Sequence, residues 1–63
     1  MNRLRGLRIM ARLNQTELAR IIGVPKKIIS QWESGVLEIS PEYVRQLCEL
    51  FRCSEEYLLK EAP

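Results

Sequence analysis

Histidine is absent from this 63-residue chain, and cysteine is confined to Cys48 and Cys53. The commonest general base and metal ligand is therefore missing. The C-x4-C spacing matches no common zinc pattern, and two cysteines build no disulfide framework. Both read as reduced thiols packed as small apolar residues, which suits a cytoplasmic protein. No serine– or cysteine–base constellation and no glycine-rich phosphate loop occurs, so an enzyme reading has no residues to carry it. Neither a cofactor, a metal nor a small-molecule substrate is expected. There is no run of about 18 apolar residues and no charged-then-apolar leader before a small-residue cleavage site. A membrane span and a secreted protein are both unexpected. The length predicts a single small domain, residues 1–63, which buries only about 60% of its unfolded surface.

What is present is a lopsided charge. The net +2 divides sharply at Gly35. Up to that residue, Arg3, Arg5, Arg8, Arg12, Arg20, Lys26 and Lys27 face only Glu17 and Glu33, a balance of +5. Beyond it, Arg45, Arg52 and Lys60 face Glu38, Glu42, Glu49, Glu55, Glu56 and Glu61, a balance of −3. Such a field turns the first part towards a polyanion.

The stretch from Gln15 to Gly35 reads as two short helices around a tight turn. Leu18, Ala19 and Ile22 share one face of the first, Gly23 breaks the pattern, and Val24 plugs the turn. Asn14 is a good N-cap with Glu17 three residues on, so this helix is expected over about 15–22. Its N-terminal N–H groups, flanked by Asn14 and Gln15, offer a phosphate site. The second helix, about 26–34, starts after Pro25, buries Ile29 and Trp32, and stops at Gly35. Lys26, Lys27, Ser30 and Gln31 fall on the opposite side. Ile28 lies at the boundary, with packing preferred to contact with a thymine methyl. Glu33 falls on the buried side, where an unpaired carboxylate is costly. Arg8, on the Leu4/Leu7/Ala11 side of a first helix over about 2–12, is its expected partner. Arg5 and Arg12 fall on other faces and are expected to be solvated.

Later, Ser40-Pro41-Glu42 is a cap, first-position proline and first-turn acid, opening a helix over about 41–51. Val44, Leu47, Cys48 and Phe51 form its stripe. Ser54 caps a last helix over about 54–60, with Glu55 and Glu56 at its positive end. Tyr57, Leu58 and Leu59 overfill one face of so short a helix. The surplus, Tyr57 with part of the loop Val36–Ile39, is a candidate dimer contact.

The pattern Leu7-Arg8, Leu13-Asn14-Gln15, Leu18-Ala19, Gly23-Val24-Pro25, Ile29-Ser30, Trp32-Glu33 and Gly35 resembles the lambda-repressor/Cro-type (XRE-type) helix-turn-helix family. The tail of Val44, Leu47, Phe51, Cys53, Ser54 and Leu58 is similar to that family too, so the resemblance covers almost the whole chain. It implies an all-α, compact bundle of five short helices with a central helix-turn-helix. It further implies that Gln15 contacts a DNA phosphate and braces helix 3, and that Lys26, Lys27 and Gln31 are the main base-reading positions. Arg8 and Glu33 match a structural ion pair, which agrees with the need of a buried Glu33 for a cation. There are departures. Arg12 stands where the family often has a glycine, Pro25 replaces a Ser/Thr cap, and the Val36–Ile39 loop has no basic residue.

The expected function is sequence-specific binding of double-stranded DNA by a transcriptional regulator, most simply a repressor. Its contact set is Asn14, Gln15, Thr16, Pro25, Lys26, Lys27, Ser30 and Gln31. The repressors it resembles commonly pair through the Tyr57 end, so a weak homodimer is expected, binding half-sites roughly 34 Å apart. The alternatives are a protein-interaction module on the same fold, or an antitoxin-type DNA-binding partner of a second protein.

Overall fold

The computed structural model describes residues 1–62; Pro63, the last residue of the expected 1–63 domain, lies outside the described residues. Five helices follow one another: α1 Leu4–Met10, α2 Gln15–Ile22, α3 Lys26–Ser34, α4 Pro41–Phe51 and α5 Glu55–Leu59. No strand occurs among the described residues. All five helices contribute to one core of Leu4, Leu18, Ala19, Ile29, Trp32, Val44, Leu47 and Leu58, closed by Ile39 from the α3–α4 loop. Each fully buried leucine or isoleucine stabilises the fold by roughly 1.5–3 kcal/mol, so a handful of side chains holds most of the domain together.

The helix ends follow from local chemistry. At α2, the Glu17 N–H donates to Asn14 Oδ1 at 2.7 Å and the Asn14 N–H donates to Glu17 Oε1 at 2.8 Å, a complete capping box. Gly23 (φ 86°) and Gly35 (φ 83°) end α2 and α3 in the left-handed region, where a side chain would be strained. Ser54 Oγ accepts from the Tyr57 N–H at 3.0 Å and starts α5. Ser40, expected to cap α4 with its side chain, sits at the cap but makes no side-chain bond. Its carbonyl instead takes the N–H groups of Tyr43 and Val44, both at 2.9 Å.

Three expectations need correction. The first helix is shorter than 2–12, and Ala11 is exposed rather than part of the buried stripe. Arg12 takes φ 60° and closes the helix as a glycine would, with the Leu13 N–H on Arg8 O at 3.1 Å and the Arg12 N–H on Ile9 O at 2.9 Å. A non-glycine residue there costs roughly 1–2 kcal/mol. That reversal swings Leu13, not Ala11, onto the core. The last helix loses one residue at each end of 54–60, because Ser54 is its cap and Lys60 is already extended. Ile39 is buried, so the loop's contribution to an outer apolar patch reduces to Val36 and Leu37.

Tyr43 and Asn2 are structural residues that sequence reasoning missed. Tyr43 packs its ring 5.3 Å from that of Trp32, tilted by 47°. Its spacing of four from Leu47 on α4 was the available signal. Asn2 Oδ1 accepts the Leu4 N–H at 3.0 Å while its Nδ2 donates to Trp32 O at 3.1 Å, tying the start of α1 to α3.

Candidate nucleic-acid interface

α2 packs against α3, with Leu18 and Ala19 of the first and Ile29 and Trp32 of the second buried in the shared core. The side of α3 that carries Ile29, Trp32 and Glu33 is therefore used up, and Lys26, Lys27 and Ser30 project into solvent with Gln31 half-buried beside them. Among the described residues neither lysine enters an ion pair. Pro25 occupies the cap position of α3 in extended conformation without a side-chain bond, and it is exposed. Ile28 is half-buried against the core, so it packs.

Asn14 and Thr16 are exposed and Gln15 half-buried at the start of α2, beside α3. The Asn14 side chain takes the Glu17 N–H, while the N–H groups of Gln15 and Thr16 belong to the first turn, which has no intrahelical acceptors. The structure thus places Asn14, Gln15 and Thr16 at the α2 start, and Pro25, Lys26, Lys27, Ser30 and Gln31 at the start and outer side of α3.

Glu33 determines how α3 is held. It is 5% exposed, and it is the buried charged residue of the described chain. Arg8 Nε donates to Glu33 Oε2 at 2.6 Å and Nη2 donates to Oε1 at 3.2 Å, a two-point guanidinium–carboxylate pair. Arg8 Nη1 also donates to Leu13 O at 2.8 Å, and Gln15 Nε2 donates to Glu33 Oε1 at 3.1 Å. One carboxylate on α3 is thereby fixed from α1 and α2 together. Such a network resists rotation of α3 about its own axis, so the outer side chains keep one presentation. Arg8 and Gln15, with Arg5, Ser30 and Ser34, line an open cleft of about 380 Å³ beside α3. A larger hollow of about 720 Å³ is lined by Ser54, Glu56, Tyr57, Leu59 and Lys60 and has no residue of α2 or α3.

At the other end, Tyr57 and Leu59 are exposed while Leu58 closes the core. The Arg3 guanidinium carbon lies 5.5 Å from the Tyr57 ring centroid, so one face of that ring is already covered by a cation.

A short helix docked on its predecessor through a left-handed glycine turn, its outer side polar and cationic, defines a helix-turn-helix protein. The helix-turn-helix family profile matches residues 4–58, and the chain belongs to that family, in its lambda-repressor/Cro (XRE) type. It is similar to Repressor protein C2 of Salmonella phage P22, 36% identical over 58 residues, which cover 92% of this chain and 27% of that protein. It is also similar to Antitoxin PezA of Streptococcus pneumoniae, 33% identical over 51 residues, covering 81% of this chain and 32% of that one. The chain therefore spans between 27% and 32% of the length of these relatives.

Proposed function

We propose that this helix-turn-helix domain is the sequence-specific DNA-binding module of a transcriptional regulator, acting as a repressor and reading the major groove with α3. The observation that carries the reading is the presentation of α3. Lys26, Lys27, Ser30 and Gln31 stand outward on a helix whose inner side is bolted through Glu33 to Arg8 and Gln15. A major groove about 12 Å wide admits such a helix. Lys27 and Lys26 suit guanine O6 and N7, and Gln31 suits adenine N6 and N7. Asn14, Gln15 and Thr16 contribute phosphate contacts at the α2 start, with Pro25 and Ser30 against the backbone beside α3. The similarity to a phage repressor supports the assignment to repression. No catalysis is assigned, and the protein is taken to act in the cytoplasm.

The module pairs weakly as a homodimer through Tyr57 with Val36 and Leu37, which places two half-sites roughly 34 Å apart. A monomer in ultracentrifugation at high concentration, with and without DNA, would remove that interface. A second reading, an antitoxin-type DNA-binding partner of another protein, is favoured by the similarity to an antitoxin and uses the same α3 surface.

Selection of bound duplexes from a randomised pool at two salt concentrations tests the main reading. A short enriched palindrome is expected. Binding without enrichment that merely fades with salt would reduce the protein to a non-specific basic surface.

A further inference from the structure

Beside α3 runs the open cleft of about 380 Å³ whose charges do not balance. Met1, Arg5 and Arg8 line it together with the single carboxylate of Glu33. Arg8 is matched by Glu33, and the Met1 amino group lies 2.6 Å from Glu61 Oε1. Arg5 has no carboxylate partner among the described residues and is exposed on α1. The acceptors of Glu33 are already engaged by Arg8 and Gln15, so Glu33 offers little to attract a second cation.

The cleft also holds donor capacity that the fold does not use. Gln15 spends one amide hydrogen on Glu33 and keeps a second. Ser34 Oγ donates to Gln31 O, whereas the Ser30 hydroxyl has no protein partner among the described residues. A free guanidinium, a hydroxyl and an amide N–H around a net positive cleft suit an anion with several acceptor oxygens. Ser30 and Ser34, one turn apart, put the cleft along the margin of the outward side of α3. With α3 in the major groove, that margin is where one sugar–phosphate strand passes.

We propose that the cleft seats one backbone phosphodiester of the duplex, gripped by Arg5 with Ser30 and Gln15. This rests on the DNA-binding reading above and adds Arg5, a residue outside the contact set read from the sequence. Arg5 fixes affinity and register without reading bases.

The test compares Arg5→Ala and Arg5→Lys with the wild type on the selected duplex and on a scrambled duplex across a salt series. Arg5→Ala should weaken both duplexes by the same factor, roughly three- to tenfold near 100 mM salt, and flatten the slope of log K against log salt by about 0.9. Arg5→Lys should keep the slope and most of the affinity. The melting temperature should not change, because Arg5 is exposed.

Wild-type affinity and slope in Arg5→Ala would overturn the proposal and leave the DNA-binding reading standing. A loss confined to the selected duplex would overturn it too, by making Arg5 a base reader. Wild-type protein that binds neither duplex ends both. Inorganic phosphate, titrated against the amide shifts of Gln15 and Ser30, separates a free-anion site from a diester site. Tight saturation with undisturbed duplex binding in Arg5→Ala would favour the free anion and sink the proposal.

Discussion

In the α2–α3 unit the Glu33 carboxylate is 5% exposed and takes hydrogen bonds from Arg8 and Gln15, whereas at the α5 end Glu61 is 82% exposed and meets the Met1 amino group. Water screens the second pair, and such exposed pairs contribute little to stability. The first is sheltered, so losing either partner strands a charge or its desolvated acceptors. The α5 end is held mainly by the insertion of Leu58 and by the Arg3 N–H on Leu58 O at 2.9 Å. A buried polar network is spent where orientation matters, and apolar burial suffices where only closure is needed. The helix proposed to enter the groove is the one locked by geometry-specific bonds; the closing helix is locked mainly by non-directional ones.

Arg8→Ala should be the largest effect, destabilising by about 3 kcal/mol in urea unfolding, because Glu33 is left buried with Gln15 alone. Replacing the pair together, Arg8→Met with Glu33→Leu, sharpens the contrast. Stability should return near the wild-type value while affinity for the selected duplex stays reduced, since α3 has lost its directional lock. Full affinity in that double variant would break the claim that the network orients α3.

Lys27→Ala and Gln31→Ala should each lose about 1–3 kcal/mol on the preferred site and relax preference there, with stability unchanged. Equal losses on scrambled DNA would turn them into phosphate contacts.

Gly6 lies in the interior of α1, the helix that carries Arg8, and a Cβ added there meets no atom within 4 Å. Gly6→Ala should stabilise by roughly 0.5–1 kcal/mol in thermal melts without altering DNA affinity.

At the α5 end the expected effects are small. Burial, and then the neighbouring Cys53, push the Cys48 thiol from 9.0 up to about 11. The folded state therefore holds that proton more tightly than the unfolded state. The stability it contributes is complete below about pH 9 and is lost as pH rises towards about 11. Cys48→Ala should flatten this alkaline decline, and Cys48 should react slowly with alkylating reagents at neutral pH. Glu61→Gln, smallest of all, should leave the melting temperature unmoved; a clear drop would show that the exposed pair is structural after all.

The placement of much of the candidate interface was legible because its signals are local. Asn14 and Glu17 at a spacing of three announce a capping box, Gly23 and Gly35 mark left-handed turns, and Ile29 with Trp32 leaves only one side of α3 for the lysines. The Arg8–Glu33 pair was reachable by elimination, since a carboxylate on an apolar side demands a cation. Arg5 was read only as a solvated residue, because periodicity says which side of its own helix a residue occupies but not which other helix faces that side. Tyr43 and Asn2 escaped for a related reason. A tilted ring contact and a side chain bonded to the Trp32 carbonyl depend on residues 11 and 30 positions away.

By itself the sequence determined the number and order of the helices, the caps at Asn14 and Ser54, the charge division at Gly35 and the family, all consequences of interactions within a few residues or of patterns repeated along one helix. The tertiary structure alone decided that Arg12 in the left-handed region sends Leu13 rather than Ala11 inward. It also decided that Ile39 leaves the loop for the core, and that Arg5, Gln15 and Ser30 meet around one cleft. Those outcomes depend on where three helices come to lie relative to one another, and close packing settles that only when every side chain of the core is in place.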